Sequence, residues 1–213
     1  MKVALVHDWI TGLRGGEKCL LDFLSIYPDA DIYTLIHKKG TTSDLIDERV
    51  FQTSFFQKIP NVEKIYKLLL PFYSLAANSL KLKGYDLVIS LSHAAAKNVQ
   101  ILDNAYHISY CFTPMRYIWD QAPQYFGKLL PCVWPLIKYL RNWDVKNSSN
   151  VNTFIGISSF VASRINCYYK REAEVIYPAV DTSWIEQANE DKKGDYFLYA
   201  GAIVPYKRVD LII

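Results

Sequence analysis

Lys2–Glu17 reads KVALVHDWITGLRGGE. Its apolar, β-branched run from Val3 to Val6 predicts a buried strand that stops at His7-Asp8, and a short loop then leads to Gly15-Gly16. Glu17 opens a helical pattern in which Leu20, Leu21, Phe23 and Leu24 are apolar. Strand, glycine loop and helix in that order begin an open α/β sheet, and ligands bind such sheets at the carboxyl ends of the strands. Paired glycines at a helix N-terminus leave backbone N–H groups uncovered, which suits a phosphate. The same pair also serves a tight turn that packs helix on strand, and the spacing alone does not choose between the two.

Composition narrows the class. The chain has 213 residues, enough for one large or two small domains with a real core. Hydrophobic residues make up 51% and mean hydropathy is zero, which describes a globular chain rather than a disordered one. The net charge of +3 is too mild, and too evenly spread, for a nucleic-acid face. Aromatic residues reach 15%; such rings mostly fill cores, and they also stack on sugars and bases or anchor at membrane interfaces. Cys19, Cys111, Cys132 and Cys167 form no CxxC pair and have no histidines clustered beside them, so no zinc site is expected. A strand from residue 2 leaves no room for a signal peptide, and no apolar run approaches the ~20 residues that span a bilayer. The expectation is a cytoplasmic protein with reduced thiols.

Outward from the first helix, Asp31–Ile36 reads as a second strand, His37–Arg49 as a loop or short helix, and Val50–Phe55 as a short third strand. In Asn61–Lys83 the residues Ile65, Leu68, Leu69, Phe72, Leu75, Ala76 and Leu80 fall at helical spacing, with Pro71 breaking or kinking the segment. Lys58, Lys64, Lys67, Lys81 and Lys83 decorate it against the single acid Glu63. Two readings stand: a core helix with a solvated basic face, or a peripheral contact of residues 58–83 with an anionic membrane at its inner face. Tyr85–Leu91, Ala105–Phe112, Asn152–Ile157 and Ala173–Tyr177 are further strands. Trp119–Trp143 is expected to be a helical excursion over one edge, and Ser158-Ser159 to cap a helix over Phe160–Tyr169. Strands alternating with helices predict an α/β fold with a doubly wound, mostly parallel sheet. The polar stretch Glu186–Asp195 reads as a linker. Tyr196–Ala200 as a strand, Gly201 and a helix start at Val209–Ile213 then read as a second strand–loop–helix unit, the opening of a second domain. The expected organisation is 1–185, a linker 186–195, and 196–213 as the beginning of a domain that is cut short.

The groups that carry chemistry sit where strands end. Besides Gly15, Gly16 and the adjoining Glu17 these are His93, then Thr113 and Arg116, then Ser158. In a parallel sheet their loops open on one edge, so the groups converge without being near in sequence. His93 suits a substrate hydroxyl or a proton near neutral pH, and Arg116 offers a planar fork for phosphate or carboxylate. Each also has a structural reading, as a satisfied histidine and as a salt-bridging arginine. No GxGxxG, no GxxxxGK[ST], no GxSxG elbow and no acidic cluster for a divalent metal is present.

HDW…GGEK, SxSHAAAKNV, YCFTPMRYIWD, GISSFVASRI, YPAVD and FLYAGAIVPYKRVDLII together resemble the retaining glycosyltransferases of family 4. The mannosyltransferase-like members of lipopolysaccharide and capsule assembly are the most similar. The resemblance implies a GT-B fold, in which two Rossmann-like domains face a cleft. The acceptor would bind mainly on the first domain and the sugar nucleotide mainly on the second. It implies hexosyl transfer with retention from a donor such as GDP-mannose, with no cofactor and no metal, to a glycan or lipid-diphosphate-linked acceptor. By the same resemblance Gly15 and Gly16 approach the donor, His93 lies beside the reacting sugar, Arg116 is the arginine of TPMR, and Lys207 neutralises the donor diphosphate. Two positions depart from the family pattern. Ala202 stands where an arginine is usual, and Phe112 replaces the histidine before TPMR. The acidic EX7E motif does not occur before Ile213, so the chain alone is expected to be at most weakly active. The alternatives are a glycan-binding module without catalysis and a sugar-nucleotide epimerase.

Overall fold

The computed structural model describes residues 1–182, 194–201, 203 and 208–212. The chain divides into two units, Met1–Ala179 and Val180–Ile213. In the first, β1 (Val3–Ile10) is followed by α1 (Gly15–Ile26), β2 (Asp31–His37), α2 (Asp44–Arg49) and β3 (Val50–Thr53). Then come α3 (Val62–Ile65), a 3-10 turn (Tyr66–Phe72), α4 (Tyr73–Ser79), β4 (Lys81–Leu82), β5 (Leu87–Ser92), β6 (Gln100–Ile101) and β7 (Tyr106–Cys111). The unit continues with α5 (Ala122–Phe126), α6 (Leu130–Ser148), β8 (Thr153–Gly156), α7 (Ser159–Tyr169) and β9 (Ala173–Val175).

Seven strands form one sheet in the order β3-β2-β1-β5-β7-β8-β9, every pair parallel. This is a doubly wound, Rossmann-like α/β sheet. β4 and β6 form a separate two-stranded ribbon that the sequence pattern does not announce. β1 is buried along its whole length because side chains alternate between two covered faces. Val3 and Leu5 join Ile89 and Leu91 of β5 under Cys19, Leu20 and Leu24 of α1. Ala4 and Val6 join Val88 in the opposite core, with Tyr73, Ala76, Ile137 and Leu140. The chain winds outward from β1 to β3 and then returns to place β5 on the other side of β1. That reversal opens a crevice at the carboxyl ends of β1 and β5, where doubly wound sheets bind ligands.

Several expectations need correction. β1 does not stop at His7-Asp8 but runs to Ile10, because both polar side chains are buried and bonded within the fold. Of the two outcomes expected at Pro71, the segment 61–83 is broken rather than kinked. Pro71 cannot donate the helical hydrogen bond, and the chain tightens into a 3-10 turn between α3 and α4. The excursion covers a face rather than an edge, since Ile137 and Leu140 of α6 enter the core that holds Val6 and Val88. Ser158 caps α7 as expected, its hydroxyl accepting from the Val161 N–H at 3.2 Å. In the second unit Tyr196–Ala200 is irregular and not a strand, Phe197 being fully exposed. A short 3-10 turn covers Val209–Leu211. Residues 186–193 of the expected linker, Ala202 and Lys207 lie outside the described residues. Among the described residues no helix is long and apolar enough to cross a membrane.

One buried polar network fastens α6 and α7 to the segment after β5. The Asp144 carboxylate accepts from Lys97 Nζ (2.6 Å), Asn98 Nδ2 (3.0 Å), Trp119 Nε1 (2.9 Å) and the Tyr169 hydroxyl (2.8 Å). Lys97 and Asp144 are both fully enclosed, so each charge depends on the other. Asp144→Asn leaves the Lys97 ammonium buried without its counter-charge. It should cost about 3–5 kcal/mol in urea unfolding; a loss below ~1 kcal/mol would show that the network is not what fastens these helices.

Candidate functional site at the β1–β5 crevice

Asp8, third from the end of β1, is buried with its carboxylate under the loop that leaves β5. Oδ2 accepts from the backbone N–H of His93 (2.6 Å) and Ala94 (2.9 Å), and Oδ1 from those of Ala95 (2.6 Å) and Ala96 (2.7 Å). A carboxylate bonded to four amides satisfies its own burial and fixes the path of residues 93–96. The His93 ring then lies with Nδ1 3.1 Å from Asp8 Oδ2. Both carboxylate oxygens act as acceptors, and Nδ1 is the ring nitrogen that faces them, which favours the tautomer with its hydrogen on Nδ1. Trp9 packs edge-on against His93, ring centroids 4.4 Å apart at 87°. Burial lowers the His93 pKa, with Asp8 opposing the shift and the neighbouring Arg116 charge adding to it. The side chain remains 19% exposed. His93 is therefore a neutral, oriented acceptor at the mouth of the crevice, with a cation beside it.

His7 lies deeper. Its Nδ1 donates to the Trp9 carbonyl at 3.0 Å, while Nε2 finds no hydrogen-bond partner among the described residues. Burial, with the His93 charge adding to it, pulls its pKa down to about 4, so it is neutral near pH 7. Gly16 packs directly on this ring: a Cβ there would sit 3.0 Å from His7 Nε2 and 3.4 Å from the Phe112 ring, whereas one at Gly15 would meet nothing within 4 Å. The glycine pair therefore splits in role. Gly16 permits the close approach of α1 to β1 and β7, and Gly15 faces open space.

The remaining expected site residues fall into place unevenly. His93, Arg116 and Gly16 gather at the crevice. Glu17 is buried, and its carboxylate accepts the Arg14 N–H at 3.1 Å, closing the start of its own helix; burial raises its pKa. The Thr113 hydroxyl accepts from Arg164 Nη1 and donates to the Pro114 carbonyl at 3.0 Å, and Arg164 also pairs with Asp120. Ser158 is engaged at its helix cap. All three polar groups serve the scaffold in this structure. Asp8 and Trp9, which orient His93, are the residues that strand-end reasoning passes over. The usable signal is a carboxylate inside an otherwise apolar strand, one that must find donors somewhere.

No family model and no curated protein matches the sequence. Two solved structures of Alr3699/HepE from Anabaena, one in complex with UDP and one with UDP and glucose, are similar at 14% and 16% identity with TM-scores of 0.49 and 0.48. They cover 86% and 90% of this chain and 45% and 48% of their own, so the chain spans about half the length of those proteins.

Gly15 and Gly16 separate experimentally. Gly16→Ala should destabilise by about 1–3 kcal/mol, since the His7 and Phe112 rings must give way. Gly15→Ala should stay within about 1 kcal/mol of the parent. Thermal or urea unfolding of both variants checks this, and equal costs would contradict the packing role of Gly16.

Proposed function

We propose that the first unit is the acceptor-side domain of a sugar-nucleotide-dependent glycosyltransferase. The full protein would transfer a hexosyl unit, mannose as first choice, to a glycan or lipid-diphosphate-linked acceptor with retention. The observation that carries this reading is the His93–Asp8 pair at the β1–β5 crevice. With Nδ1 facing Asp8, Nε2 is left to accept a sugar hydroxyl, and burial, which lowers the ring's pKa, favours the neutral form that accepts. Arg116 and, by the resemblance, Lys207 would oppose the negative charge that develops on the departing nucleoside diphosphate. In the transfer step the bond between the anomeric carbon and the diphosphate oxygen breaks. The acceptor oxygen bonds to that carbon on the same face, and its proton passes to the leaving phosphate. Gly15, with open space before it, would line the donor side of the crevice.

Peripheral membrane contact through residues 58–83 belongs to this proposal. Leu68, Phe72 and Leu75 are exposed apolar side chains beside the exposed Lys64 and Lys67, a mixture that suits an anionic lipid surface. That surface would bring the enzyme to a lipid-carried acceptor.

Calorimetry of the full protein with GDP-mannose, UDP-glucose and glycan acceptors tests the reading. A sugar nucleotide should bind, and His93→Ala should weaken it about tenfold or more through the lost hydrogen bond. Binding of glycan alone, with no heat from any sugar nucleotide, would make the chain a glycan-binding module instead.

A further inference from the structure

A second cleft opens beside the crevice, at the same carboxyl edge of the sheet but outside it. It has a volume of about 360 Å³ and is lined by Thr11, Arg14, Lys38, Glu63, Lys64, Tyr66 and Lys67. Three separate stretches of chain supply its four cations: the β1–α1 loop gives Arg14, the end of β2 gives Lys38, and α3 with its adjoining turn gives Lys64 and Lys67. Glu63 is the one carboxylate among the lining residues, and it is bound to Lys38 at 3.3 Å. A helical segment with a merely solvated basic face would not share its lysines with two other loops. The chain as a whole carries only +3, so this concentration is local.

α1 begins at Gly15, directly after Arg14, so the N-terminus of a twelve-residue helix adjoins that residue, while Glu17 in its first turn accepts the Arg14 N–H. Tyr66 forms the floor, and its buried ring packs on Trp9 with centroids 4.7 Å apart, while Trp9 packs in turn on His93. One indole therefore separates the cleft from the His93 ring. Arg14 offers a planar fork and the lysines offer point charges, which together match the several oxygens of a compact polyanion.

We propose that this cleft binds a phosphate or diphosphate group carried by an ester, held by Arg14, Lys38, Lys64 and Lys67. The site stands on these residues alone and does not rest on glycosyl transfer. Pyrophosphate binding here, with no sugar nucleotide bound by the full protein, keeps the site and loses the transfer reading; the reverse result keeps transfer and loses the site.

The test is titration of the isotopically labelled chain with inorganic pyrophosphate at fixed ionic strength near about 0.15 M, read out by backbone amide shifts. Saturable shifts are expected at Thr11, Arg14, Lys38, Lys64 and Lys67, with a midpoint below ~1 mM. The double substitution Arg14→Gln with Lys64→Gln should raise that midpoint about tenfold or more, and Lys146→Gln on α6 should leave it within about twofold. If the double variant loses its dispersed spectrum, Lys67→Gln alone, at an exposed position, should still raise the midpoint about threefold. Competition assigns the source. Displacement of pyrophosphate by a nucleoside diphosphate identifies a soluble ester, and displacement by a short-chain phosphatidate identifies a lipid headgroup. Shifts that grow linearly without saturation, that survive the charge substitutions, or that neither ester displaces would overturn the proposal.

Discussion

Everything at the carboxyl edge of the sheet depends on the carboxylate of Asp8. Buried in the middle of the fold, it is tolerable only because four consecutive backbone amides, from His93 to Ala96, turn toward it at 2.6–2.9 Å. The dependence runs both ways. The amides would be unsatisfied without the carboxylate, and the loop after β5 would have no reason to coil over β1. A strand residue thus dictates the conformation of a segment 85 positions away, and with it which nitrogen of the His93 ring faces the carboxylate.

The other end of the same loop is held by a second buried acid. Lys97 and Asn98 reach into the Asp144 network, which also collects Trp119 and Tyr169. The sequence HAAAKN is thus pinned between Asp8 on the sheet and Asp144 on α6, with small alanines where the backbone must pass close to both. Such an arrangement is stiff, and stiffness is what a ring needs if it is to present one lone pair to a ligand rather than sample several poses. Gly16 contributes in the same sense, because its missing side chain lets α1 close over His7.

How much of this is legible in the residues depends on the kind of signal each feature leaves. The parallel, doubly wound sheet is legible, because apolar runs at β1, β5 and β7 alternate with helical patterns. The cap at Ser158 is visible for the same reason, a local rule with a local cause. His93 and Arg116 are found by looking just past the carboxyl end of each buried strand. Asp8 is not, although it stands in the stretch that begins the chain. Its polarity looks like the end of a strand, and only the distant amides that surround it reveal a buried acceptor. Lys97 and Asp144 hide alike, since a charged residue in sequence gives no sign that its partner is 47 positions on. Thr113 and Glu17 mislead in the opposite way: residues at strand ends and helix starts also hold loops together, and these two hydrogen-bond within the scaffold. The segment after Asn61 shows a helical period, yet it folds as two short helices with a 3-10 turn holding Pro71 between them.

The most direct test concerns the ring and the carboxylate together. Long-range nitrogen–proton correlation spectra of the His93 side chain, recorded near neutral pH with exchange rates for the amides of residues 93–96, report both ends of the interaction. The wild-type chain should show the hydrogen on Nδ1 and strong protection of the four amides, and Asp8→Asn should lose that protection and change the ring signature. A hydrogen on Nε2 in the wild type, or amides as protected in Asp8→Asn as in the parent, would contradict the role given to Asp8.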